Sequence, residues 1–278
     1  MTGGAVAAGL PDGRLHLQHG PIDIILSAEG PGRDAAFRAA ARRFETILPD
    51  LAAQLPVLTR DYHDFRPTCP VAAAMKRAVA PLARDRFVTP MAAVAGAVAD
   101  EICASLSRAA LTKATANNGG DIAFLLSPGA RFRAAGANGP IDIPADSPVR
   151  GMATSGWQGR SQSLGIADAV TVLAETAARA DAAATLIANA VDLPDHPAIQ
   201  RVPASDLEAV PQLDDRLVTV DVGALREHEI DTALNRGAAY AKKLLATGLI
   251  AGAILSLKGI SRVTASSGSA TGLLADPS

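Results

Sequence analysis

The segment "NNGGD", Asn117–Asp121, places two side-chain amides, two glycines and a carboxylate directly ahead of an apolar run. Asparagine and glycine tolerate positive φ, and aspartate often bonds within its own turn, so the segment is compatible with a tight turn. Alternatively, Asn118, Gly119 and Gly120 present backbone N–H groups to an anion such as a pyrophosphate, with Asp121 at the pocket mouth. The common nucleotide-binding loops, GxGxxG and GxxxxGK[ST], do not occur in the sequence.

A second polar segment, "GMATSGWQGRSQSLG", combines glycines with hydroxyl, aromatic and cationic residues. Thr154 and Ser155 could line a polar pocket, with Arg160 on a phosphate and Trp157 stacked on a ring. The alternative is a flexible surface loop in which Trp157 is half buried.

A third pattern is "ADAAAT", in which Asp181 and Thr185 are four residues apart in an alanine-rich helical segment. This spacing puts both side chains on one face of a helix. Two hard oxygen ligands suit Mg²⁺, which keeps several waters and takes few protein ligands. The alternative is local: the threonine hydroxyl bonds back to the helix, and the aspartate interacts with the helix dipole.

Composition excludes several classes of function. The chain has 278 residues, 49% of them hydrophobic, and a formal net charge of -2. It can therefore bury a sizeable core, but it has no basic field for nucleic acid. Two cysteines provide neither a disulfide framework nor a cysteine-based zinc site. The longest apolar stretch, Leu244–Leu257, is shorter than a bilayer span, so we expect a cytoplasmic protein with no membrane partner.

Hydrophobic periodicity predicts strands scattered between helices, which indicates an α+β fold. A hairpin is expected around Gly20 and Pro21, and Gly96 is expected to let another backbone approach its helix. We predict one domain over 1–262 and a disordered tail over 263–278. Loops are predicted over 151–165 and 192–211. Helices are predicted over 34–55, from about 71, over 94–106, from about 176 and over 224–246, and strands over 122–126, 169–174, 216–223 and 252–263.

Taken in order, these segments resemble the ApbE family of FAD:protein FMN transferases, and more closely an uncharacterised cytosolic branch of that superfamily. "VAGAVADEI" resembles the family's helix of small residues with an aspartate, and "NNGGDIA" its Gly-Gly-Asp strand. "ATSGW" resembles its Ala-Thr-Ser-Gly turn, and "AVTVLAETAARADAAATLIANAV" its strand followed by the metal-binding helix. The resemblance is strong over about 87–191 and loose in the N-terminal strands.

The resemblance implies an ApbE-like, T-fold-related arrangement of antiparallel sheets packed with helices. It implies FAD, or another flavin or pterin-like nucleotide, as cofactor, with Mg²⁺ held by Asp181 and Thr185. In the family, FMN passes to a threonine of a protein acceptor with loss of AMP, and a homo-oligomer is compatible with the sequence. The implied flavin-site residues in this chain are Asp100, Gly119, Gly120, Asp121, Thr154, Ser155 and Gly156, to which the polar segments add Asn118, Trp157 and Arg160.

The sequence also departs from the family. The interval "QGRSQSLGIAD" lacks the family's histidine and proline, and Ala95 stands where the family has a lysine. Two hypotheses therefore stay open: a flavin or nucleotidyl transferase, and a binding or carrier protein that does not cleave its cofactor. Asp168 is the one acidic residue in the interval, so it is the candidate general base, although it could equally be a solvent contact at a strand edge.

Overall fold

The computed structural model describes residues 3–60, 62–84, 86–106, 110–136, 139–159, 161–207, 213 and 215–265. The chain divides into two compact units. The first unit comprises residues 1–133, 143–153 and 174–181, and the second comprises 134–142, 154–173 and 182–278. The prediction of a single domain over 1–262 stays a prediction.

Thirteen strands and six α-helices lie in the described residues. The strands are β1 (Val6–Gly9), β2 (Leu15–His19), β3 (Ile22–Glu29), β4 (Lys113–Asn118), β5 (Asp121–Leu126), β6 (Arg131–Gly136), β7 (Gly139–Pro144), β8 (Gly151–Ser155), β9 (Ala169–Ala174), β10 (Ile199–Pro203), β11 (Leu217–Val222), β12 (Gly252–Leu257) and β13 (Ile260–Ala265). The helices are α1 (Arg33–Ala52), α2 (Leu55–Leu58), α3 (Pro70–Val79), α4 (Val94–Ser105), α5 (Ala177–Ala190) and α6 (Glu227–Ala246).

The first unit contains an antiparallel sheet covered by helices. Its strands lie in the order β1, β2, β3, β4, β5 and the first part of β8. Helix α1 packs on β2 and β3, and α4 packs on β4 and β5. Apolar residues alternate along β2 and β3, so that Leu17, Ile24 and Leu26 are buried beneath α1 and Phe44 is buried on the helix side. The predicted opening hairpin is confirmed.

The second unit contains a smaller antiparallel sheet in the order β9, β12, β13, on which α6 packs. Strands β10 and β11 form a separate antiparallel pair with an irregular register at Gln200 and Arg201. Segment 139–144 pairs with 131–136 in a further two-stranded sheet. Antiparallel sheets packed with helices confirm the predicted α+β class.

Helix α1 ends at Ala52, three residues before the predicted end, and α6 begins at Glu227, three residues after the predicted start. Two predicted loops and the predicted tail also differ from the structure. The predicted loop over 151–165 begins with β8, because its first residues pair with β5 although glycine and small side chains give them little intrinsic strand preference. The predicted loop over 192–211 contains β10, which depends on pairing with β11. Strand β13 extends to Ala265, three residues into the predicted tail, and 266–278 lie outside the described residues.

The described helices include none that is both long and apolar enough to cross a bilayer.

Glycine at position 96 is required by a backbone contact. A Cβ atom there would lie 2.2 Å from the carbonyl oxygen of Ala177, so the predicted close approach of another backbone is confirmed. Gly151 has the same role, since its Cβ would lie 2.1 Å from the amide nitrogen of Ala177. The start of α5 therefore lies directly against the backbones of α4 and β8.

We expect Gly96→Ala to lower the free energy of unfolding by roughly 1 to 3 kcal/mol, the usual cost of overpacking. A glycine-to-alanine exchange inside an ordinary helix has the opposite sign, a gain of about 1 kcal/mol. Urea unfolding measures the difference. The control is Gly9→Ala, where a Cβ meets no atom within 4 Å; equal stability of both variants would contradict the prediction.

Candidate active site

The first turn of α5 is capped by a side chain from α4. Asp100 Oδ1 accepts the amide N–H of Ala177 and Oδ2 accepts that of Ala178, both at 2.9 Å. The Thr176 hydroxyl accepts the amide of Arg179 at 3.2 Å, and the Thr176 carbonyl accepts the amide of Ala180 at 3.1 Å. All four leading amides of α5 thus have acceptors, which removes the usual anion-binding capacity of a helix N-terminus.

Asp100 has a structural role in capping α5, whereas the family resemblance implies that it contacts the flavin. Its side chain is largely buried, and burial raises its pKa to about 6, although the two amides from Ala177 and Ala178 act in the opposite direction. The structure shows Asp100 holding α5 in place. Contact of Asp100 with a cofactor stays a prediction.

A hydrogen bond links α4 to Asp181 as well. The amide of Gly96 donates to Asp181 Oδ2 at 3.0 Å. Because Gly96 also allows the backbone of Ala177 to approach, one glycine both spaces the two helices and orients the carboxylate. The sequence pattern carries no indication of this amide contact, since the donor lies 85 residues from its acceptor.

The "NNGGD" segment is a two-residue β-hairpin turn between β4 and β5. Asn118 lies opposite Asp121, and Gly119 and Gly120 adopt φ values of 66° and 109°, which favour glycine. The amide of Gly120 donates to Asn117 Oδ1 at 2.8 Å. The tight-turn alternative is confirmed, and one of the two glycine amides proposed for an anion already has an acceptor; contact of this turn with a ligand stays a prediction.

Asn118 ties the turn to α4, because its Nδ2 donates to the carbonyl oxygen of Ala95 at 3.0 Å. Asn118 is itself buried, as is Asp121. The hairpin turn, the beginning of α4 and the first turns of α5 are therefore joined by side-chain to backbone hydrogen bonds, within one compact unit.

Three carboxylates, those of Asp100, Asp121 and Asp181, interact electrostatically at this junction. The pKa of Asp181 is raised well above its usual value, first by burial and then by the negative charge of Asp121, with a smaller contribution from Asp100. The amides of Gly96 and Ala95 act in the opposite direction. The groups that most affect the pKa of Asp181 thus include two other carboxylates and no basic side chain.

The predicted metal ligands lie in one helix. Asp181 and Thr185 are both within α5, one turn apart, so their side chains project from the same face. Within the described ranges, no group of three or more histidine, cysteine, aspartate or glutamate side chains is arranged to hold a metal ion. Binding of Mg²⁺ by Asp181 and Thr185 stays a prediction.

The second polar segment lies in the second unit and brings Trp157 to Asp168. The indole Nε1 donates to Asp168 Oδ1 at 3.2 Å, and the Trp157 amide donates to the carbonyl of Ala167 at 3.0 Å. Gly156 is required here, because a Cβ would lie 2.2 Å from the Asp168 carbonyl oxygen. Trp157 is half buried, as the surface-loop alternative has it.

The remaining polar residues of this segment have simpler surroundings. Thr154 is exposed, and its hydroxyl forms a hydrogen bond of 2.9 Å with the Thr171 hydroxyl on β9. Ser155 is partly exposed. Arg160 lies outside the described residues.

Asp168, the candidate base, is held by two donors. Besides the Trp157 indole, the backbone amide of Lys258 donates to Asp168 Oδ2 at 2.5 Å. Lys258 has a φ of 48° in the turn between β12 and β13, a conformation that costs a residue with a side chain some free energy. The Asp168 carboxylate offsets that cost, and this structural role was not visible in the sequence.

Comparisons with known proteins agree with the resemblance seen in the motifs. The model of a family described as "AbpE bacteria" matches residues 7–263. A UPF0280 protein of Methanospirillum hungatei is 34% identical over 41% of this chain and 50% of its own length. A UPF0280 protein of Methanopyrus kandleri is 40% identical over 43% of this chain and 48% of its own length. The chain spans about half the length of the curated relatives it matches.

Among solved structures, the apo form of the flavinyl transferase ApbE of Pseudomonas stutzeri matches with a TM-score of 0.46 at 12% identity. The match covers 99% of this chain and 98% of the transferase chain.

Asp100 gives a testable pH dependence. Its pKa of about 6 in the folded protein exceeds the ordinary 3.8, so the folded state binds the proton more tightly. Its stabilising contribution is therefore complete below about pH 4 and lost as the pH rises through about 6, by about 3 kcal/mol. Chemical unfolding across this range should show wild type losing stability relative to Asp100→Asn.

The matched control is Asp146→Asn, at an exposed aspartate. Its stability difference from wild type should stay flat over the same pH range. A difference between wild type and Asp100→Asn that is likewise independent of pH would contradict the assignment of Asp100 as a desolvated acid.

Proposed function

Because this chain belongs to the AbpE bacteria family, whose model spans residues 7–263, we propose that it binds a flavin or a related nucleotide together with Mg²⁺. Asp181 and Thr185 are the proposed metal ligands. The observation that carries the proposal is the environment of Asp181, where burial and two neighbouring carboxylates disfavour the charged form. A divalent cation reverses this balance by favouring the ionised carboxylates.

The hydrogen bonds of the backbone amides around the site favour phosphate binding through a cation rather than through these amides. The leading amides of α5 are occupied by Asp100 and Thr176, and the amide of Gly120 is occupied by Asn117. Amide groups that elsewhere bind pyrophosphate are thus already engaged. An anionic nucleotide at this junction of carboxylates requires a positive charge, which a cation provides.

The donor atoms fit Mg²⁺. Carboxylate and hydroxyl oxygens are hard ligands, and Mg²⁺ typically takes one or two carboxylates and keeps several waters. Asp181 Oδ2 is oriented by the Gly96 amide at 3.0 Å, and the Asp121 carboxylate interacts electrostatically with it. When bound, Mg²⁺ neutralises charge on the pyrophosphate oxygens of the nucleotide.

The chain's own residues suit binding better than proton transfer. Asp168, the proposed base, already accepts hydrogen bonds from Trp157 and Lys258 through its two oxygens. Taking up a proton competes with these contacts, although a carboxylate retains further lone pairs. We therefore propose a carrier of a flavin or pterin-type cofactor.

Transfer of a flavin or nucleotidyl group to a protein acceptor is the second candidate. It is favoured by the fixed position of the partly exposed Asp168 carboxylate beside Trp157. In this candidate, Asp168 accepts the proton of an acceptor hydroxyl, the hydroxyl oxygen bonds to the FMN phosphorus of FAD, and the pyrophosphate bond breaks with loss of AMP.

We expect Asp181→Asn to abolish the Mg²⁺ dependence of FAD binding and to stabilise the protein in the absence of metal, because it removes a carboxyl group whose ionisation is disfavoured by burial and by Asp121. Thr185→Val, which removes only the hydroxyl, should weaken Mg²⁺-dependent binding less. Calorimetric titration of FAD with and without Mg²⁺, and urea unfolding of the metal-free proteins, provide the two measurements. Asp146→Asn serves as control. Unchanged Mg²⁺ dependence in Asp181→Asn contradicts the proposed metal site.

Asp168→Asn separates the carrier from the transferase. The side-chain amide introduced by this change keeps one oxygen that can accept the Lys258 amide, so the fold should survive with FAD binding nearly unchanged. Incubation of wild type with FAD, Mg²⁺ and a threonine-containing acceptor peptide is followed by assay for AMP and for a fluorescent peptide. The carrier predicts neither product; labelling by wild type that disappears in the variant establishes transfer with Asp168 as base.

A further inference from the structure

A cavity of about 600 Å³ lies in the first unit, and neither of the proposed metal ligands lines it. Its walls come from α3, α4, the later residues of β5 and the segment that starts α5. Neither Asp121 nor Asp181 lines it, whereas Asp100 does. A volume of this size matches the range that holds small organic ligands.

Alanine side chains create the space. Helices α3 and α4 pack against each other and α4 packs on β5, and many of the residues that line the cavity are alanines, whose side chains occupy little volume. Phe124 lies in the same wall but is almost wholly buried, and it stacks on Phe132 with ring centroids 4.3 Å apart. The alanines that line the cavity are Ala73, Ala74, Ala78, Ala97, Ala104, Ala123 and Ala178.

Each acidic group in the wall already has compensation. Asp100 accepts two backbone amides at 2.9 Å. Glu101 pairs with Arg43 at 2.6 Å, and Glu175 pairs with Arg179 at 2.9 Å. The acidic side chains of the wall therefore offer little attraction for a cation.

The basic groups are less completely used. Arg77 is exposed at the cavity and forms no hydrogen bond or ion pair with any residue in the described ranges. Arg179 donates to Glu175 through Nη1, while its Nε is buried without an acceptor among the described atoms. Arg150 differs, because it donates to three carbonyl oxygens of the loop at 145–149.

From these contacts we infer that the cavity binds a small organic monoanion, with an apolar body against the accessible alanines Ala73, Ala74 and Ala104 and an anionic group at Arg77 and Arg179. Guanidinium groups bind carboxylate and sulfonate oxygens through charge-assisted hydrogen bonds. An ammonium compound or a neutral polar ligand lacks the group that these arginines require. Neither proposed Mg²⁺ ligand lines this site, which shares only Asp100 with the residues implied for the flavin.

The test uses 8-anilinonaphthalene-1-sulfonate, which combines an apolar bicyclic body with one negative charge. Its fluorescence is titrated with the full chain at neutral pH without Mg²⁺, and saturable binding is expected. Arg77→Gln removes the charge, and Ala104→Phe fills the cavity from an exposed position. Each should weaken binding by about tenfold.

Matched controls lie on α1, outside the cavity wall. Arg38→Gln changes an exposed arginine, and Ala35→Phe changes an exposed alanine. Both should bind the dye as wild type does, and so should Asp181→Asn, which separates this site from the proposed metal site. Non-saturable binding, or wild-type affinity in both Arg77→Gln and Ala104→Phe, overturns the inference.

Discussion

The contact between the backbone of α4 and the first turn of α5 determines where the acidic groups of the first unit lie. Gly96 permits the approach because it has no side chain, and Asp100 secures it by accepting two α5 amides. Asp181 lies one helical turn after Ala177 in α5, and the amide of Gly96 donates a hydrogen bond that orients its carboxylate. A buried helix end with unpaired amides is costly, so this capping is a condition for placing α5 so deeply.

The same packing has an electrostatic cost. It draws Asp181 towards Asp121 and Asp100, in surroundings where burial disfavours their ionised forms. A structure selected for stability alone has little reason to keep such groups together, since an apolar side chain of similar volume avoids the desolvation of a charge. Clusters of this kind are typical of sites whose charge balance is completed by a ligand.

The sequence predicts those features that depend on local pattern. Alternating apolar residues indicate the β2–β3 hairpin, and paired glycines indicate the turn before β5, because both signals reside in consecutive residues. The family resemblance, confirmed by the model match over 7–263, rests on short motifs in the right order.

What the sequence misses depends on distant partners. Strand β8 looks like a loop because Gly151 serves close packing rather than a turn. The cap formed by Asp100 joins residues separated by 77 positions, and the Asp168 contact with Lys258 joins residues separated by 90. The residues next to Asp100 and Asp168 in the sequence do not indicate whether each carboxylate forms a structural hydrogen bond or contacts a ligand.

Trp157 gives the second unit an optical property of its own. The chain contains a single tryptophan, and its indole N–H donates to Asp168 at 3.2 Å. Emission excited beyond the tyrosine band therefore originates from one ring, whose hydrogen-bond acceptor is also the carboxylate that receives the Lys258 amide. The wavelength of that emission reports the local polarity of this one junction, without any attached label.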